Sequence, residues 1–353
     1  RLGLGNAIVP AKGYAAPDAM HAFKQASDLA ARVDEPSKQC DALWGLCTGT
    51  WVGGDIHGGH EIAQRCFGLA TEQGDDGARL ISHQLLACTN MTLGRFAGAR
   101  AYFERAVSLY GPVPREELTP RLGQDPKALA LHFLVPILWF LGYPDQARER
   151  SRELAAWWPD SPFLFNRIWR SVSLVQTLAW MRAPAGHDAQ IDADFAMCGE
   201  QGFGFMGLVI SGLRGARLAQ LGRVEEGIRD LKHCIAVHLA SGARFCVPAF
   251  FEFLAEAYLS IERTEEGLAA VAEGLALSQQ TGEVRVDAEL HRLRGELLLA
   301  QSSTDAAQAE SCFSKSLEIA RTQEARSFEI RSATSLAHLW QSQGKRKDGH
   351  ELL

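Results

Sequence analysis

The chain has 353 residues, 46% of them hydrophobic, with a formal charge of −6 at pH 7 and a pI near 6.0. That length allows two or three globular domains or one long array, and the apolar content is ample for a core. The mildly acidic balance argues against nucleic-acid binding, which needs a basic footprint. It fits an ordinary cytoplasmic surface.

In chain order the sequence divides into helix pairs. Ala19-x3-Phe23 with Ala26 begins a pattern that returns at Ala63/Phe67/Ala70, Ala99/Phe103/Ala106 and Ala309/Phe313/Ser316. A second spacing carries more weight. Ala7 stands twelve residues before Ala19, Ala87 before Ala99, Gly215 before Gly227, Ala255 before Gly267 and Ala337 before Gly349. Small residues at a fixed separation are what two stacked helices need at their closest approach. The units read as 1–34, 37–74, 77–111, 125–158, 161–201, 203–242, 243–282, 284–323 and 326–353. Residues 111–124, rich in Pro and Gly, read as the longest loop and a possible hinge. The clearest unit is Pro248–Gly282. Phe251, Leu254, Ala255 and Tyr258 share one helix face, Thr264 suits a cap, and Gly282 suits a left-handed stop. The expected fold is all-α: a right-handed solenoid of eight to nine tetratricopeptide-like units running over 1–353 as one array.

No stretch reads as a signal peptide or membrane span. Leu129–Leu141 is too short and is broken by His132 and Pro136. The chain begins at Arg1 and stops inside an expected helix, so it reads as a piece of a longer protein. The eight cysteines lack Cys-x2-Cys spacing and read as reduced core thiols.

The stretch LGLGNAIVPAKGYAAP (Leu2–Pro17) resembles the first helical repeat of large bacterial signalling proteins. So do AELHRLRGELLLA (Ala288–Ala300), the Phe313–Ala320 helix and Ser327–Trp340. In such proteins a class III adenylate/guanylate cyclase or DNA-binding domain precedes a STAND-like ATPase module and a C-terminal tetratricopeptide array. The resemblance implies that any cyclase or ATPase residues lie upstream of Arg1. It implies a sensor role for this segment, binding a protein, a peptide or a small molecule in a concave groove. A plain interaction scaffold or self-association module is the alternative.

No catalytic set, metal site or cofactor is expected. Gly202-Phe-Gly-Phe-Met-Gly207 lacks the Lys-Ser/Thr ending of a phosphate loop. His57, His60 and Cys66 lack a further ligand, and Asp55 reads better as a helix cap. Cys234 follows His233, but adjacent helical residues point to different faces. Trp157, Trp158, Trp169 and Trp180 read as core, with Trp169 also a candidate wall of a ligand groove. On the concave face, the residue after each small position should point inward. That rule selects Glu256, Glu296 and His338, and one turn earlier Glu252 and Arg292, with Arg331 on the last row. The expected patch serves either as an ion-pair ladder between units or as ligand contacts. The end of the chain, with Leu336, Leu339, Trp340, Leu352 and Leu353, is expected to pack on another copy or to fray.

Overall fold

The computed structural model describes residues 1–73, 76–110, 115–157, 164–184, 188–302 and 305–353. These residues form nine antiparallel helix pairs and one lone helix. The solenoid opens with α1 (Leu2–Lys12) and α2 (Pro17–Arg32), α3 (Pro36–Val52) and α4 (Ile56–Gln73), then α5 (Asp76–Thr92) and α6 (Phe96–Leu109). The lone α7 (Arg115–Leu122) is followed by α8 (Pro126–Phe140) and α9 (Pro144–Ala156), then α10 (Leu164–Trp180) and α11 (Asp188–Glu200). Next come α12 (Gly204–Gln220) with α13 (Val224–Ser241), and α14 (Val247–Ser260) with α15 (Thr264–Thr281). The last two pairs are α16 (Asp287–Gln301) with α17 (Ala306–Thr322), and α18 (Arg326–Ser342) with α19 (Arg346–Leu352).

Local chemistry sets many of the helix ends. Proline occupies the first turn of α2, α3, α8, α9 and α14, where its missing N–H costs nothing. Gly242 and Gly282 close α13 and α15 at φ 81° and 83°, a region other residues avoid. Thr264 does not cap α15; it is the first helical residue, and Arg263 holds the cap position. Asp55 does cap, accepting from the Gly58 N–H at 2.8 Å.

The twelve-residue spacing is a contact at Gly215/Gly227 and at Ala337/Gly349. A Cβ on Gly227 would lie 2.5 Å from the Gly215 carbonyl oxygen, so α12 and α13 meet backbone to backbone. Gly5 and Gly45 make room for the Phe23 ring, and Gly295 for Phe313. Ala255 and Tyr258 are buried as expected, while Gly267 faces Leu297 of the next unit. Gly227→Ala should therefore cost about 1–3 kcal/mol, because a carbonyl cannot step aside as a side chain can. Thermal unfolding checks this against Gly68→Ala, where the added methyl meets nothing. Equal melting temperatures for the two variants would mean the helix register is wrong.

The solenoid closes on itself. Arg244 and Phe245 donate their N–H groups to the Val52 carbonyl at 2.8 and 3.1 Å, and Val284 donates to Thr92 at 3.0 Å. The Ser327 hydroxyl bonds the Trp139 carbonyl, 188 residues away. The second turn thus lies against the first, and the inward faces of both become interior. Phe140 and Phe328 pack at 5.1 Å with tilted rings, and Trp180 packs on Phe140 at 5.0 Å. All of α8 except Lys127 is buried. It is the apolar run noted above, and no described helix is long and apolar enough to cross a membrane.

Two expectations need correction. Residues 111–114 lie outside the described residues, but most of the rest of the expected loop is helix: residues 115–122 form α7, and only 123–124 remain as a turn. Leu118 and Leu122 are buried, and Arg121 donates to both Asp41 oxygens at 2.8 and 3.0 Å. The end of the chain is also covered. Helix α19 folds onto α18, burying Leu336 and Leu339, with Trp340 and Leu352 packed beside them. The Trp340 indole donates to Glu310 at 2.8 Å, and Leu353 stays exposed.

Candidate functional site

The first helices of the last three units, α14, α16 and α18, present their charged residues inward in register. Glu252 and Glu256 lie one turn apart on α14. Glu289, Arg292 and Glu296 form a stripe on α16, and Arg331 and Ser335 one on α18. The Arg292 guanidinium grips Glu289 with two hydrogen bonds of 3.0 and 2.7 Å. It also donates to Glu296 at 3.2 Å and to Ser335 at 3.4 Å, while Ser335 donates to Glu296 at 2.6 Å. Arg331 donates to Glu289 at 3.2 Å and reaches the Trp180 carbonyl at 2.8 Å, 151 residues earlier in the chain. Arg182, in the turn after α10, pairs with Glu256 and lies 3.9 Å from Glu289. The cluster therefore joins the two turns of the solenoid.

Burial decides its electrostatics. Glu289 is 1% exposed, yet its carboxyl is held down to about 2. Desolvation pushes it up, but Arg292, Arg331 and Arg182 outweigh that. Glu252 is the opposite case. It is buried, and its Oε2 has no hydrogen-bond partner among the described residues. Desolvation raises it to about 8, the Glu289 and Glu256 carboxylates add to the rise, and Arg331 and the Trp180 indole oppose it. Glu252 therefore carries its proton at neutral pH.

Among the inward residues expected from sequence, Glu252, Glu256, Arg292, Glu296 and Arg331 do converge. His338, two turns beyond Arg331, is exposed and stands outside the cluster. The pairing also differs from expectation: Arg292 makes its ion pairs within its own helix, and Glu256 pairs with Arg182. Sequence reasoning missed Glu289, Ser335 and Arg182. Glu289 was open to the rule applied one turn further, since it precedes Arg292 by three. Arg182 was not, because only the closure of the solenoid brings it there.

The tryptophans part company. Trp157 packs outside on Tyr110 at 5.7 Å, with Lys127 over its ring at 3.9 Å. Trp158 lies outside the described residues. Trp180 abuts the charged cluster and also faces Arg285, whose guanidinium is 5.6 Å from its ring. Trp169 belongs to a different place, an enclosed aromatic cavity with His132 at 4.7 Å. Cys234 does have a histidine neighbour, but it is His238, one turn on, at 3.4 Å. Both are buried, and burial raises the thiol and lowers the imidazole, so neither is poised as a nucleophile or base. His60 bonds Thr89 at 2.9 Å.

Comparison with known proteins agrees with this architecture. Residues 81–111 match the family model for the tetratricopeptide repeat. A search of curated proteins gave no significant match. Among solved structures the chain is similar to a Rap protein complexed with competence and sporulation factor, at 10% identity and a TM-score of 0.58, covering 93% of this chain and 96% of that one. It is also similar to aspartyl phosphate phosphatase F from Bacillus subtilis, at 11% identity and a TM-score of 0.51, covering 99% and 91%. A STAND protein with a tetratricopeptide-repeat sensor from Pyrococcus horikoshii aligns at 11% identity and a TM-score of 0.49, covering 92% of this chain and 50% of that one, a likeness too slight to carry an argument. The chain contains a tetratricopeptide-repeat region, and its fold is an all-helical, tetratricopeptide-like solenoid.

Proposed function

We propose that this chain is a non-catalytic sensor and interaction module. It takes a peptide or protein segment at the seam between its two superhelical turns and biases an effector, an ATPase or cyclase module, in the same parent protein. One observation carries the reading: the charged cluster that closes the seam is sealed at one end and open at the other. Glu289 and Arg292 are buried, while Arg182 and Glu256 reach a cleft of about 310 Å³ lined also by Gln220, Phe253 and Ser260.

A half-exposed ion pair contributes little, on the order of 0–1 kcal/mol. A peptide carboxylate can therefore take Arg182 from Glu256 at small cost. The Glu256 charge is then left facing Glu289 and Glu252, which loosens the closure between turns. A ligand with different affinity for the closed and loosened forms shifts their balance. The Rap similarity supports a fold able to accept a partner, since that protein was solved complexed with competence and sporulation factor. The effector link rests on the resemblance noted in the sequence, by analogy.

The test is capture of partners by the intact parent protein, with nucleotide turnover measured alongside. Arg182→Ala should leave the fold intact, since the side chain is partly exposed, and should lower both partner capture and the regulated change in turnover by about tenfold. Unchanged capture and unchanged regulation in Arg182→Ala and Glu256→Ala would sink the proposal.

A further inference from the structure

Apart from the charged seam, the interior holds a second cavity, of about 60 Å³. Its walls come from α3, α5, α8, α10, α12 and α13, and from the Phe245–Cys246 link before α14. Rings form much of it. Trp51 lies 4.2 Å from Phe245 and 5.9 Å from Phe133, and Trp169 lies 6.1 Å from Phe133. These planes cross at 45°, 68° and 59°, so the rings make a rounded box and not a slot for a flat molecule. None of the lining residues is Asp, Glu, Lys or Arg. The two histidines are neutral: burial pushes His132 down to about 3 and lowers His238.

The polar atoms of this wall are turned away from the cavity or already bonded. Trp51 Nε1, His132 Nδ1, Gln124 Oε1 and Gln176 Oε1 are themselves buried and present no surface to it. Thr48 and Thr89 donate their hydroxyls to the Trp44 and Leu85 carbonyls of their own helices, at 2.8 and 3.0 Å. The Cys47 thiol donates to the Gly59 carbonyl at 3.1 Å. The surface left facing the cavity is almost wholly apolar. The space is several times the roughly 10–15 Å³ that one water needs, yet a water also needs about two to four polar partners, which this wall does not offer. Close-packed interiors keep few voids of that size, because the atoms around a void lack contacts on one side.

We infer that this cavity binds a small, uncharged aliphatic molecule, and that its occupancy tightens the closure of the solenoid. Size and shape set the class. An engineered apolar cavity of roughly 150 Å³ takes one benzene ring. A cavity of about 60 Å³ takes less than a ring: a short or branched chain of a few carbons. A charged molecule is excluded because nothing in the wall offsets its desolvation. A polar molecule of the same size gives up its hydrogen bonds to water and finds none in exchange. An aliphatic one loses nothing, and it restores the contacts that the wall lacks. The link to closure lies in the wall itself. Val52 and Phe245 both line the cavity. The Arg244 and Phe245 N–H groups donate to the Val52 carbonyl, the contact that lays the second turn against the first. An occupant packed among Trp51, Phe133 and Phe245 holds that contact shut.

The experiment uses the full chain and five probes. Isobutane and cyclopropane, dissolved under gas pressure, are the compact aliphatic molecules. Benzene is the oversized control, acetamide the polar control of matching size and butyrate the charged one. The two gases should raise the melting temperature. They should also slow hydrogen exchange at the Arg244 and Phe245 amides, about tenfold at a concentration near ten times Kd. The three controls should do neither. Val209→Phe, on the α12 wall, should fill the space and abolish both responses. If it fails to fold, Leu129→Ala takes its place: the enlarged cavity should admit benzene, which the parent refuses. The inference is overturned by no response to either gas, by an equal response to any control, or by isobutane binding with unchanged exchange at the two amides. An unchanged response in folded Val209→Phe, or a Leu129→Ala variant that still refuses benzene, overturns it too. So does a crystal under isobutane pressure that shows only ordered water in the cavity. Seam variants such as Arg182→Ala should not affect isobutane binding, so this site and the proposed partner site fail or stand separately.

Discussion

Arg292→Ala should destabilise the chain by about 3 kcal/mol, far more than loss of a surface pair. The reason lies in what remains. Glu289 is 1% exposed and loses the bidentate partner that holds it ionised. Arg331 keeps a single 3.2 Å contact with it, so the loss stays at the lower end of the range for a broken buried pair. Ser335 and Glu296 lose a shared donor as well. Replacing both partners, Glu289→Met with Arg292→Met, should restore much of the stability, because the uncompensated charge goes with the pair. Urea unfolding of the two variants measures this. A loss under about 1 kcal/mol in Arg292→Ala, the figure for an exposed ladder, would show that the cluster is not sealed.

The second large effect is on pH. Glu252 is raised to about 8 in the folded chain, from an ordinary 4.5. Between those values the folded state keeps a proton that the unfolded state releases, so stability falls as pH rises through the window. Asp287, raised to about 6, and Glu283, raised to about 7, act in the same direction. Glu289, held at about 2, acts oppositely: its contribution is present above 4.5 and is lost as pH falls towards 2. Below about 6.5 the buried His132, pushed down to about 3, and His238, also lowered, oppose the gain from Glu252, because the unfolded chain takes up protons that the folded chain refuses. The chain should therefore be most stable between about pH 5 and 6.5. The groups facing Glu252 are Glu289 and Glu256, which favour its proton, and Arg331, which opposes it. Its charge also reaches Arg285. Glu252→Gln mimics the protonated acid. It should match the parent near pH 5 and exceed it by about 2–4 kcal/mol near pH 9. Parallel stability curves for the two proteins between pH 5 and 9 would mean that Glu252 is solvated and ordinary.

These two residues show where sequence reading stops. The selection rule put Glu252 and Arg292 on the inner face, and they are there. It treated that face as an open groove, so it expected either an ion-pair ladder between units or ligand contacts. The rule uses helix period and close-approach spacing, which are local. Whether the face meets water depends on the curvature of the whole array.

The sequence by itself determined the helix pairs and their register. A period of 3.6, proline at helix starts, glycine at helix ends and small residues twelve apart act over one or two turns of chain. Gly215 against Gly227 is that information made physical. The tertiary structure decided what the inner face became. Each unit adds a small rotation to the last, and no local pattern records where the sum closes. The closure brings Ser327 to Trp139 across 188 residues and Arg331 to Trp180 across 151. It delivers Arg182 to Glu256, strips water from Glu289, leaves Glu252 protonated, and walls Trp169 and His132 into a cavity. Those properties follow from desolvation, which is set by everything that surrounds a residue and not by its neighbours in the chain.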